Sequence, residues 1–145
     1  MVAKNLDGVM PAAGQSDGAI ALAESMAALT DAYFAAMNAL QLHRALEAVM
    51  TMVSAANGFF AEAAPWKLAK TDVGAMANVL AVTLDATRRI VLLVQPFMPA
   101  SSAALLDQLG VADEVRDFSD MDAIVAPGTL LPAPQGVFPR WAEPQ

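Results

Sequence analysis

Residues 40–70 read LQLHRALEAVMTMVSAANGFFAEAAPWKLAK. From about Leu40 to Ala63, Leu42, Leu46, Val49, Met50, Val53 and Phe60 recur at the three- and four-residue steps of an amphipathic helix, which predicts one continuous buried stripe. Pro65 ends that helix, because its ring lacks an N–H and disfavours helical geometry in the preceding residue. A helix with a single apolar stripe has to bury it against other elements, and the flanking sequence supplies further helices.

Upstream, Ala19 to Asn38 is rich in alanine, methionine and leucine, a strong helix-forming composition. It follows a turn-rich linker over residues 8–18, with Gly8, Pro11, Gly14 and Gly18, in which Ser16 or Asp17 can cap the next helix. Met1 to Leu6 has helical composition but is too short to nucleate by itself, and it reads as the tail of a longer helix. Downstream, a helix from about Asp72 to Val94 carries Met76, Val79, Leu80, Val82, Ile90 and Leu93 as apolar positions, Thr71 or Asp72 as cap and Pro96 as stop. Pro99 opens a further helix that Gly110 ends, and Asp113 to Phe118 adds a turn. From Ala126 the chain loses its period and becomes proline-rich, an extended tail with Leu130, Leu131, Val137, Phe138 and Trp141 available to pack on the bundle or on a partner. The predicted fold is therefore all-α, an antiparallel bundle of four to five helices over residues 1–125 with an extended C-terminal tail over 126–145.

Composition sets the limits on function. The chain has 145 residues, enough for one core, and its 57% hydrophobic and 16% charged residues exclude wholesale disorder. Mean hydropathy is +0.45, yet the longest uncharged stretches, Ile90–Leu106 and Ala123–Pro139, are interrupted by prolines and fall short of the roughly 20 apolar residues a membrane span needs. The N-terminus lacks a signal-peptide pattern, which predicts a cytoplasmic chain without a membrane partner, and the absence of cysteine removes disulfides and thiol chemistry. A net charge of −7 argues against DNA binding or bulk coating of nucleic acid, so any RNA contact has to be local. His43 is the only histidine, and Glu24, Asp31, Glu47 and Glu62 lack the spacing of a carboxylate–histidine metal site. There is no glycine-rich phosphate loop and no nucleophile elbow, so neither a catalytic set nor a metal site is expected. The adjacent Arg88 and Arg89 are expected to form surface salt bridges.

Asn57 to Lys70 stands apart. Trp66 directly follows the helix-ending Pro65 and is followed by Lys67 and Lys70, so an exposed indole can stack on a nucleobase while the ammonium groups approach phosphates. The competing reading makes Trp66 a core plug at the helix junction.

This segment resembles the Ala-Pro-Trp-Lys-Leu-Ala-Lys stretch of bacterial methionyl-tRNA synthetases, in their α-helical anticodon-binding domain. Further matches occur in the same order: Leu42-His43-Arg44-Ala45-Leu46 before it, then Leu93-Val94-Gln95-Pro96-Phe97-Met98-Pro99, Leu106 with Leu109-Gly110, and Gly136-Val137-Phe138-Pro139-Arg140. The resemblance implies that Trp66 stacks on the first base of the CAU anticodon of methionine tRNA, that Pro65 sets its position and that Lys67 and Lys70 make secondary phosphate contacts. It also implies a parent enzyme that uses ATP with magnesium to activate methionine, and a catalytic domain upstream as intramolecular partner, with Phe138 and Trp141 candidates for that interface. The nucleotide-binding motifs of class I synthetases, of His-Ile-Gly-His and Lys-Met-Ser-Lys-Ser type, are not in this sequence, nor is the base-reading Asn-Leu-x-x-Arg stretch of the first helix. The chain is thus expected to be a catalytically inactive piece that begins inside that helix, with no cofactor of its own. Uncovered apolar surface should make it melt below a version extended upstream. Two other readings stay open: a helical protein–protein interaction module that no longer binds RNA, and the equivalent domain of a valine, leucine or isoleucine enzyme.

Overall fold

A computed structural model describes residues 1–138, which form six helices: α1 Val2–Asn5, α2 Asp17–Asn38, α3 Leu42–Ala63, α4 Pro65–Thr71, α5 Val73–Val94 and α6 Pro99–Gln108. Two single 3-10 turns, Asp113–Val115 and Phe118–Asp120, follow. The all-α expectation holds, with α1 a single turn and α4 a short helix that the sequence reading did not separate from its surroundings. Trp141, Pro139 and Arg140 lie outside the described residues.

The helix ends follow from local chemistry. Ser16 caps α2 by accepting from the Ala19 amide at 3.2 Å, and Asp72 caps α5 by accepting from the Ala75 amide at 2.9 Å. Pro99 occupies the first turn of α6. At the other end of α6, Gly110 takes φ +70° and donates to Asp107 O while Val111 donates to Leu106 O, the paired bonds that close a helix through a left-handed residue. A short connection over residues 39–41 turns α2 back on α3, making the pair antiparallel.

α5 is the central element. It packs against α2, α3, α4 and α6, and it buries Met76, Val79, Leu80 and the run Val91–Val94. Tyr33 of α2 reaches into the same core, where it is fully buried and its hydroxyl donates to Leu93 O at 2.7 Å. That carbonyl lies in the last turn of α5, where no intrahelical donor is available, so the phenol completes the helix end. Tyr33→Phe is expected to lower unfolding free energy by about 1–2 kcal/mol in urea titration, because the carbonyl is left dry and unpaired. Burial also raises the Tyr33 pKa. The folded state then holds the phenolic proton to higher pH than the unfolded chain, so this group's contribution is intact below about pH 10 and declines above it.

The structure departs from the sequence expectation in two places. The buried face of α3 consists of Ala45, Ala48, Val49, Met52 and Ala56, whereas Leu42, Leu46 and Met50 are 50%, 37% and 62% exposed. Three of the five buried residues of α3 are alanines, and Leu42, Leu46 and Met50 form a second apolar face one step around the helix; periodicity alone does not separate two adjacent apolar arcs. Arg88 is not a surface residue. It is 1% exposed, its Nε donates to Asp85 Oδ1 at 2.9 Å, and its Nη1 and Nη2 donate to the carbonyls of Asp120 at 3.2 Å and Met121 at 2.7 Å. Its neighbour Arg89 does make the expected ion pairs, with Asp85 at 2.9 Å and Asp122 at 3.2 Å. Burial disfavours the Arg89 cation, but the two carboxylates outweigh it and raise its pKa.

The two ends of the described chain are tied together. Met10 N donates to Thr129 O at 2.8 Å, Gly128 N to Met10 O at 2.9 Å and Leu131 N to Gly8 O at 2.8 Å, around an isolated antiparallel bridge between Val9 and Leu130. The Ala126–Thr129 turn places Pro127 second and Gly128 third at φ +88°, a conformation open to glycine.

Candidate nucleic-acid interface

The junction between α3 and α4 is a single residue. Ala64 adopts φ +45° and ψ +59°, donates its amide to Phe60 O at 3.1 Å to close α3, and accepts from the Lys67 amide at 2.8 Å to open α4. Pro65 then sits at the first position of α4, where a missing N–H costs nothing, and its side chain is fully buried. The same proline therefore stops one helix and starts the next. At the far end Asp72 donates to Leu68 O at 2.8 Å and caps α5, so α4 hangs between two one-residue joints while packing on α5.

A non-glycine residue in the left-handed region is strained by roughly 1–2 kcal/mol, and such strain persists where surrounding structure enforces it. Ala64→Gly is expected to raise stability by up to about 1 kcal/mol in urea titration, the relief of Cβ strain exceeding the extra entropy of the unfolded glycine; Ala64→Val should lower it.

This corner presents Trp66. Its side chain is not a core plug: the residue is 48% exposed, and one side of the indole meets Phe60, with ring centroids 6.0 Å apart and an interplanar angle of 55°. Lys67 and Lys70 are exposed, and neither forms an ion pair with any described residue. Helical spacing puts Lys70 one turn from both Trp66 and Lys67. Of the residues singled out from the sequence, Trp66, Lys67 and Lys70 thus share one short exposed helix, and Pro65 fixes it from beneath. The chemistry available is an aromatic face flanked by two exposed cations on an otherwise acidic protein. The sequence reading missed the part played by Phe60, which it placed in the α3 stripe; its position one turn before Ala64 was the available signal.

Among the described residues no other exposed aromatic stands with two cations in this way. His43 is exposed near the start of α3, beside an exposed Arg44–Glu47 pair at 3.4 Å. Among the described residues no group of three or more His, Asp and Glu side chains could hold a metal ion, and no helix is long and apolar enough to cross a membrane. A mostly apolar groove of about 470 Å³ lies between the linker, the start of α2, α5 and residues 122–127, and neither Trp66 nor the two lysines line it.

The family profile described as the anticodon binding domain of methionyl tRNA ligase matches residues 10–145. Over 99% of its length the chain is 47% identical to a methionine–tRNA ligase of Mesorhizobium japonicum, of which it covers 28%, and it is 40% identical over its whole length to that of Mycobacterium tuberculosis, of which it covers 29%. The apo crystal structure of Mycobacterium tuberculosis methionyl-tRNA synthetase superposes with a TM-score of 0.93 at 39% identity, over 99% of this chain and 30% of that one. A structure of the same enzyme bound by methionyl-adenylate gives 0.91. The chain spans less than a third of the length of the curated relatives it matches. It belongs to the family of anticodon-binding domains of methionyl tRNA ligase.

Proposed function

We propose that this chain reads the anticodon of methionine tRNA as the helical recognition domain of a longer methionine–tRNA ligase in the cytoplasm. The observation that carries the reading is Trp66, held half exposed at the α3–α4 corner beside two exposed lysines that form no ion pair with any described residue. A half-exposed indole anchored on one side leaves its other side for a base, and stacking there is worth about 1–3 kcal/mol. Trp66 takes the first base of the CAU triplet, Pro65 holds its backbone, and Lys67 and Lys70 meet the neighbouring phosphates. With a net charge of −7, affinity comes from this local patch and not from the general field of the protein.

In the parent enzyme a catalytic domain upstream uses ATP with magnesium to form the methionyl adenylate and passes methionine to the tRNA. This chain contributes selection of the tRNA and catalyses neither step alone. Titrating the chain with an anticodon stem-loop bearing CAU, and with one altered at the first base, tests the recognition role. Tighter binding of the CAU loop is expected. Equal affinities would count against it and bring forward a helical protein-interaction module, for which the exposed face of Leu42, Leu46 and Met50 would be the contact surface.

A further inference from the structure

We infer that Phe60 is a positioning residue for the Trp66 platform. The inference rests on the anticodon-reading role proposed above and goes beyond it by naming what fixes the indole. α4 has only seven residues, too few to hold a shape alone, and Trp66 lies in its first turn with nearly half its surface in solvent. An unsupported indole there would exchange rotamers, and ordering it would cost affinity at each binding event. Phe60 is a described aromatic neighbour of that ring, at 6.0 Å between centroids and tilted by 55°. It is also tied to the corner through its backbone, since its carbonyl accepts the Ala64 amide at 3.1 Å. One residue therefore fixes both where α4 begins and how the indole leans. Phe60 is itself half-buried on a long helix whose next turns are anchored in the core by Met52 and Ala56, so the support is carried by a rigid element. The tilted contact leaves nearly half of the Trp66 surface in solvent, where a base can reach it.

The test is a double-mutant cycle on stem-loop binding, read with the indole signal. In a Trp141→Phe background Trp66 is the single indole of the chain. Phe60→Ala should weaken binding of the CAU stem-loop roughly fivefold or more, with helical ellipticity retained, and should increase fast depolarisation of Trp66 fluorescence. Phe60→Tyr, which keeps the ring, should restore both, and Phe60→Leu, which keeps apolar bulk without the ring, should restore neither. In a Trp66→Ala background the Phe60 substitution should have no further effect on affinity. If Phe60→Ala and Phe60→Leu leave affinity and depolarisation unchanged while Trp66→Ala weakens binding, Phe60 does not position the platform, and the anticodon reading survives. If Trp66→Ala itself leaves binding unchanged, that reading fails and the positioning role falls with it.

Discussion

Arg88→Ala is expected to destabilise the domain by about 3 kcal/mol, the largest stability effect of any single substitution argued for this fold. The guanidinium is almost wholly removed from water and satisfies three acceptors: Asp85, and the carbonyls of Asp120 and Met121 on the far side of the chain. Truncation leaves two carbonyls short of donors and opens a cavity between α5 and the segment after the 3-10 turns. Asp85 keeps Arg89 as a partner at 2.9 Å, so the loss stays at the lower end of what breaking a buried pair usually costs. Lysine is no substitute, since a single ammonium cannot serve three acceptors spread around a planar fork. Arg88→Met fills most of the space and should recover part of the loss, which separates packing from hydrogen bonding. Urea titration followed by helical ellipticity checks this: the midpoint should fall with the slope unchanged, and a loss under about 1 kcal/mol would contradict the account.

Trp66→Ala is expected to weaken binding of the CAU stem-loop by roughly tenfold to a hundredfold, the value of one lost base stack, while leaving thermal stability nearly unchanged. The separation follows from exposure. At 48% exposure the indole buries less on folding than a core aromatic, and the corner is held by the buried Pro65 and the Ala64 hydrogen bonds instead. Lys67→Ala and Lys70→Ala should each produce a smaller loss that shrinks as salt is added, because a phosphate contact acts through counterion release and a stack does not.

Much of this architecture is legible in the sequence. Ser16, Asp72, Pro99 and Gly110 each announce a helix end through an interaction confined to one turn, and each end forms where that chemistry puts it. The readings that fail concern choices made in three dimensions. Leu42, Leu46 and Met50 have the right period for a core stripe, but the face of α3 that is buried runs through the alanines beside them. Arg88 looks like half of a surface pair because its partners beyond Asp85 are backbone carbonyls more than thirty residues away, which carry no side-chain signature. At the proposed site, Pro65-Trp66-Lys67 is conspicuous in sequence, whereas its exposure follows from Ala64 entering the left-handed region, a turn more usually given to glycine.

The most direct test of the central claim pairs the protein change with an RNA change. Affinities of the chain and of its Trp66→Ala variant would be measured for the CAU stem-loop and for the same loop made abasic at the first anticodon position. Stacking of Trp66 on that base predicts that the substitution weakens binding of the intact loop at least tenfold and that of the abasic loop hardly at all. An equal loss on both RNAs, or no loss on either, would contradict it.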